Sequence, residues 1–409
     1  MARIGLSAIA ASLVLAGGCA MEAKMAKERT FGQDVEFLRK HSDVIVLSDG
    51  AGKAQVAVVP AYQGRVMTST ADGSGGMSFG WINYELIASG KPLPHITPYG
   101  GEDRFWMGPE GGQFAIFFPK GAKFVFDDWQ TPAVIDTEPF ELVSRTADNA
   151  VFVKHTKLKN YSDTEFDVQI RRSVHLLGAD GAARALNAEI PRGVRVVAYQ
   201  TENSITNRGA TAWTKEGGLL SIWILGMYKP SPRTTVVVPF KAGAEAELGP
   251  KVNDTYFGKV PAERLVVKDD VLYFSGDGKY RSKIGLSPKR SKPVLGSYDA
   301  ANKVLTIVQY TKPEGMMDYV NSMWELQDKP FAGDVVNSYN DGPPSPGAKP
   351  LGPFYELETS SPATALAPGD VLAHLHRTFH LQGPEKDLDA IARTVLGVGL
   401  DETKTALPQ

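Results

Sequence analysis

From residue 44 onward, short segments in which apolar and polar side chains alternate are repeatedly cut off by glycine, proline, asparagine and aspartate. Such alternation suits a strand, whose successive side chains point to opposite faces, and does not suit a helix, which needs apolar residues three and four apart. Forty-one glycines and 27 prolines supply the turns between segments. The pattern predicts strands at 44–47, 55–59, 65–69, 112–118, 140–146, 150–156, 167–176, 195–206, 219–225, 234–240, 265–267, 271–274, 304–310, 354–358 and 371–381. Helices are expected only near the two ends: 30–41, with Thr30 as N-cap and Val35, Phe37 and Leu38 as its apolar contacts, and 388–396. So many strands without interspersed helices predict an all-β fold, one large antiparallel sandwich, over two α/β domains. The loop 340–353, with five prolines and three glycines, is the longest punctuated segment, and such loops in compact domains tend to carry function.

The N-terminus reads differently. Arg3 is followed by an apolar stretch over residues 4–15 and then by LAGGC at 15–19, the plan of a secretory signal with a small-residue cleavage site. The stretch is shorter than the roughly 20 apolar residues of a spanning helix. Cys19 is the only cysteine, and small residues before a lone cysteine match the processing site of bacterial lipoproteins. The expected organisation is a signal peptide at 1–18, a membrane tether at 19–29 and one β domain at 30–409. Lipid on Cys19 would hold the protein in the cell envelope. Ala20 stands where an aspartate would act as an inner-membrane retention signal, so the outer membrane is expected. Forty-four basic against 46 acidic residues leave a net charge of −2 and no basic footprint for nucleic acid.

Both ends of the β region resemble galactose mutarotase-like proteins. AQVAVVP at 54–60, followed by GRV at 64–66, resembles their opening hairpin. YELET at 355–359, then Pro362, Leu366, PGD at 368–370 and FHL at 379–381, resembles their closing strands. GPEGG at 108–112 and YNDGP at 339–343 look like a bacterial branch of that superfamily. The resemblance implies the supersandwich fold. It also implies that Glu358 takes the place of the glutamate that acts as base on O1 of the sugar in aldose 1-epimerases. Their histidine acid belongs to a segment similar to QTENSITN at 200–207, which keeps Asn207 but contains no histidine.

Glu356 and Glu358 lie two apart on an expected strand, so their carboxyls share a face and raise each other's pKa, as an acid and base pair working near neutrality requires. Within residues 100–130 stand three clusters of planar polar groups, two of them with an indole: Glu102, Asp103, Arg104 and Trp106; Glu110 and Gln113; Asp128 and Trp129. A sugar takes this mixture, with an aromatic platform for its C–H face and polar groups for its hydroxyls. Asn340 and Asp341 open the proline-rich loop that precedes Glu356. On the last strand His374, His376 and His380 share one face, which offers His374 or His376 as the missing acid. Without a third ligand at recognisable spacing no metal is expected, and no phosphate loop or nucleotide fingerprint calls for a cofactor. The expectation is an exported lipoprotein whose ligand is a carbohydrate, with carboxylate acid/base chemistry on a sugar or glycoside. Its rival is a non-catalytic glycan-capture or envelope structural role. The oligomeric state is not fixed by the sequence.

Overall fold

A computed structural model describes residues 29–408, so the expected signal peptide, most of the tether and Cys19 lie outside the described residues. The first helix, Phe31–Arg39, is set by a capping box in which Gln33 N–H donates to the Thr30 hydroxyl and Thr30 N–H donates to the Gln33 side-chain oxygen. Beyond it the chain forms three antiparallel sheets of three, ten and five strands. The small sheet is the opening hairpin with one strand before it: Ile45–Ser48, Gln55–Val59 and Arg65–Thr70. In the large sheet the closing strand Val371–Gln382 lies between Arg195–Asn207 and Val304–Tyr310.

The five-stranded sheet runs Ser282–Leu286, Val336–Asn340, Tyr355–Ser360, Ser221–Tyr228 and Arg104–Gly108. One of its faces packs on the large sheet. Phe105, Met107, Ile222 and Ile224 join Phe152, Val168 and Ile170 in one cluster, while Ile284, Leu286 and Leu357 join Val236, Phe274 and Val308 in another. Face-to-face packing of two sheets makes a sandwich, the expected all-β fold.

Local structure departs from the expectations in three ways. Residues 112–118 form a loop, pinned by Ala115, Phe117 and Phe118, all buried in the larger core cluster. Apolar residues there fill a core beside the sheets and pair with no strand. Helices also occur away from the ends, at Tyr84–Ser89 and Ala179–Leu186, too short for a helical period to stand out. Four strands, Arg104–Gly108, Ser282–Leu286, Val294–Asp299 and Val336–Asn340, are absent from the alternation-based reading. The C-terminal helix, Glu385–Leu396, covers the outer face of the large sheet, where Leu388, Ile391 and Leu396 meet Phe379 and Leu381.

Between the two main sheets lies a polar seam. Glu102 accepts from Ser69 N–H at 2.6 Å, Tyr199 OH at 3.1 Å and His380 Nε2 at 3.0 Å. Asp103 pairs with Arg172 at 2.6 Å and accepts from Thr201 at 2.9 Å. Arg172 also donates to Asn203 at 2.7 Å. Buried charges persist only when paired in this way. Glu102 and Asp103, expected to hold substrate, instead tie the sheets together.

Candidate functional site

Directly paired residues of an antiparallel sheet share a face, so the register of the five-stranded sheet fixes what its outer face presents. Glu358 stands opposite Asn337 on one side and Leu225 on the other, with Arg104 opposite Leu225. One row along, Glu356 stands opposite Tyr339 and Met227, with Lys283 opposite Tyr339. A third row is Ser360, Trp223 and Trp106. Two charged rows and one indole row thus arise from residues spaced two apart on each strand.

A cavity of about 730 Å³ opens over this face, within the range of pockets that enclose small ligands. Its walls include Trp129, Trp223, Trp324, Tyr256, Phe257 and Tyr339, and its polar groups include Glu110, Arg281, Lys283, Asp334, Asn337 and Asp341. Trp129 and Trp324 stack at 5.7 Å. The proline-rich loop closes one side through Asp341, Pro344, Lys349 and Leu351. Asp341 is held there by Tyr339 OH at 2.8 Å and Gly352 N–H at 2.9 Å.

Beneath the lining, which does not include it, Glu358 is fully buried, and one of its oxygens accepts from Lys283 Nζ at 2.9 Å and Trp223 Nε1 at 3.0 Å. Its other oxygen, Oε1, is buried without a hydrogen-bond partner. Lys283 also sits 4.7 Å from the Trp223 ring. Glu356 pairs with Arg104 at 3.0 Å, and the Arg104 guanidinium lies 4.3 Å over the Trp106 ring. Burial pushes the Glu110 carboxyl up to about 7, opposed by Lys283 and reinforced by the Glu358 charge. Burial likewise pushes Glu356 up to about 8, with Arg104 opposing and Glu358 reinforcing. Asp334 and Asp341 are raised too, again by burial first. Carboxyls that keep a proton near neutrality beside one bonded to a lysine are the requirement for paired acid and base work.

Of the residues singled out from the sequence, Glu110, Trp129 and Asp341 line the cavity. Glu356, Glu358 and Arg104 lie in the charged rows of the same sheet, and Trp106 packs edge-on against the lining Trp223 at 5.5 Å. The others are elsewhere. His374 and His376 are fully buried between the sheets, where both bond the Thr359 hydroxyl at 2.9 Å. Thr359 is the neighbour of Glu358 in the strand and therefore faces the opposite way. This placement corrects their assignment as acids for Glu358: the sheet itself stands between the imidazoles and the cavity. Asn207 caps a loop by donating to the carbonyls of Thr211 and Leu366. Asn340 fastens a neighbouring turn through Gly278 N–H, Asp277 and the Tyr280 carbonyl. Gln113 clamps two loops by exchanging hydrogen bonds with the Gln327 backbone. Asp128 is exposed and accepts from Lys123 N–H at 2.9 Å.

Lys283, Arg281, Asn337, Tyr339, Trp223 and Trp324 were not singled out. All but Trp324 sit on sheet strands or beside one, and Arg281/Lys283, Asn337/Tyr339/Asp341 and Glu356/Glu358/Ser360 repeat every second residue. That period is the signal that finds them. Among the described residues, no group of three His, Cys, Asp or Glu is placed to hold a metal ion.

A family model described as a family of unknown function (DUF6786) matches residues 29–407. No curated protein sequence matches the chain. Among solved structures, a putative aldose 1-epimerase from Escherichia coli K12 is similar at 13% identity and a TM-score of 0.47, over 84% of this chain and 99% of that one. A galactose mutarotase-like protein from Lactobacillus casei is similar at 10% identity and 0.47, over 83% and 100%. A putative mutarotase from Salmonella typhimurium is similar at 10% identity and 0.48, over 84% and 92%.

Proposed function

The chain belongs to the DUF6786 family, and from the chemistry of its cavity we propose that it binds a carbohydrate there and acts on it through Glu110 and Glu358. The observation that carries this reading is a cavity of about 730 Å³ that places indole walls around a carboxyl raised to about 7. Tryptophan and tyrosine faces stack on the C–H face of a sugar ring, and the polar groups between them receive its hydroxyls. Glu358, buried just beneath the lining with its Oε1 unpartnered and its other oxygen held by Lys283 and Trp223, takes a proton from the anomeric hydroxyl. Glu110, protonated below about pH 7, gives one to the ring oxygen. The ring opens, and reversing both transfers after rotation closes it as the other anomer. Anomer interconversion consumes no further reactant; glycosidic cleavage would add water.

One observation favours a second reading, glycan capture without turnover. Lys283 and Trp223 already engage the Glu358 carboxylate, as they would if it only organised a binding surface. The cavity is tested by crystals soaked in galactose, glucose and their uronic acids. A sugar ring against Trp129 or Trp223, with hydroxyls on Glu110 and Asp341, is the expected result. A sugar bound elsewhere on the molecule, with this cavity empty, would remove the reading.

We also propose export and lipid anchoring through Cys19, supported by the small residues ahead of a lone cysteine and by a family match that starts only at residue 29. The mass of the N-terminal peptide from membrane-extracted protein should be that of a diacylglyceryl cysteine. An unmodified N-terminus at another residue would refute it.

A further inference from the structure

Arg281 is the arginine of the cavity wall, and it stands apart from the buried and half-buried arginines elsewhere in the fold. Arg104 and Arg172 pair with Glu356 and Asp103, and Arg264 pairs with Asp277. Arg290 donates to the carbonyls of Lys241, Gly243 and Gly249. Arg65 is held by the Gly100 carbonyl and Gln63. Arg281 makes no hydrogen bond or ion pair among the described residues. Its guanidinium instead lies 3.9 Å over the Phe257 ring, which also lines the cavity. Stacking fixes the plane of the guanidinium while leaving its edge, with its parallel N–H donors, unengaged.

Resting on the carbohydrate reading above, we propose that the cavity selects a sugar bearing a carboxylate, a uronic acid residue, and that Arg281 receives that carboxylate through a two-point hydrogen-bonded pair. The geometry of an arginine edge matches a planar carboxylate oxygen for oxygen. Lys349, exposed at the same mouth and without an ion pair among the described residues, adds a second positive charge to the approach. A single negative charge suits the surroundings better than the double charge of a phosphate, because Asp334 and Asp341 line the same cavity. Lys283, bonded to Glu358, is already spoken for. The sugar would then lie with its carboxylate at the Arg281 end and its anomeric centre towards Glu110 and Glu358.

Titration calorimetry with glucuronate, galacturonate, glucose, galactose and glucose 6-phosphate tests this. A uronate should bind at least about tenfold more tightly than its neutral counterpart, a preference that weakens as salt is raised. Arg281→Gln should erase the difference between uronate and neutral sugar, and Arg281→Lys should recover only part of it, because a lysine keeps the charge but not the paired donors. Unchanged thermal melting of both variants shows that they fold. Equal binding of uronates and neutral sugars would overturn the carboxylate assignment and leave the carbohydrate reading standing, as would a preference that survives in Arg281→Gln. Tightest binding of glucose 6-phosphate would show that the site takes a dianion, against the assignment. Binding of none of the five would remove both readings.

Discussion

Thr359 offers one hydroxyl to two buried imidazoles, His374 Nε2 and His376 Nδ1, each at 2.9 Å. The alternation that sends Glu358 towards the cavity side of the sheet sends this threonine into the core, so neighbouring residues face opposite sides of one sheet. Burial holds the imidazoles neutral: it lowers His374 to about 3, helped by His376, and lowers His376 to about 4. A histidine whose folded pKa lies below its unfolded value of about 6.5 stabilises the fold fully above that pH, and the contribution is lost as pH falls towards the folded pKa. The two histidines therefore lower resistance to urea as pH falls from about 6.5 towards 4, against the opposite contribution of Glu110 and Glu356, whose raised carboxyls favour the folded state as they take up protons. At neutral pH, Thr359→Val keeps the shape and removes the hydroxyl, stranding a buried nitrogen on each ring. The cost should be about 1–3 kcal/mol for each stranded group, read from urea midpoints. A change within about 0.5 kcal/mol, the usual range for inconsequential surface substitutions, would show that the hydroxyl does not hold the pair.

At the scale of elements, the strands that carry the cavity chemistry were the hardest to read. Ser282–Leu286 and Val336–Asn340 spell SKIGL and VNSYN, with no run of β-branched residues. Their outward positions hold Lys283, Asn337 and Tyr339 because an open cavity, and not a second sheet, covers that face. Strand signals based on apolar alternation weaken where a sheet face is given over to polar recognition. Tyr355–Ser360 was legible because YELET matches a known closing strand, and it brought Glu356 and Glu358 with it. The histidines of Val371–Gln382 misled for the opposite reason. Polar residues with a period of two read as a solvent or site face, but here they line the inter-sheet seam with Glu102 and Thr359. Ala373 and Val371 on the reverse face are exposed. Long-range partners decide such a case, and a single strand does not contain them.

For the whole molecule, topology gathers one site from segments far apart in sequence. Arg104 and Glu356 are 252 residues apart, Trp223 and Glu358 are 135 apart, and each pair meets at 3.0 Å. The fold class was legible from turns and alternation, whereas a cavity walled by Trp129, Trp223, Trp324 and Phe257 exists only after the sandwich closes. The proposed activity has the carboxyls of this cavity move protons on a bound sugar. The most direct test is the rate of anomer exchange of galactose, glucose and their uronic acids, followed by nuclear magnetic resonance against pH, for wild type, Glu358→Gln and Glu110→Gln, with binding measured alongside. Glu358→Gln should keep binding within a few-fold and slow exchange by roughly 10²–10⁴, the usual contribution of a general base. Wild-type exchange should fall as pH rises through about 7, where Glu110 loses its proton, and Glu110→Gln should be slow and lack that fall. Wild-type rates in Glu358→Gln, or a wild-type protein that binds sugar yet exchanges it no faster than solvent, would show that these carboxyls do not catalyse the exchange.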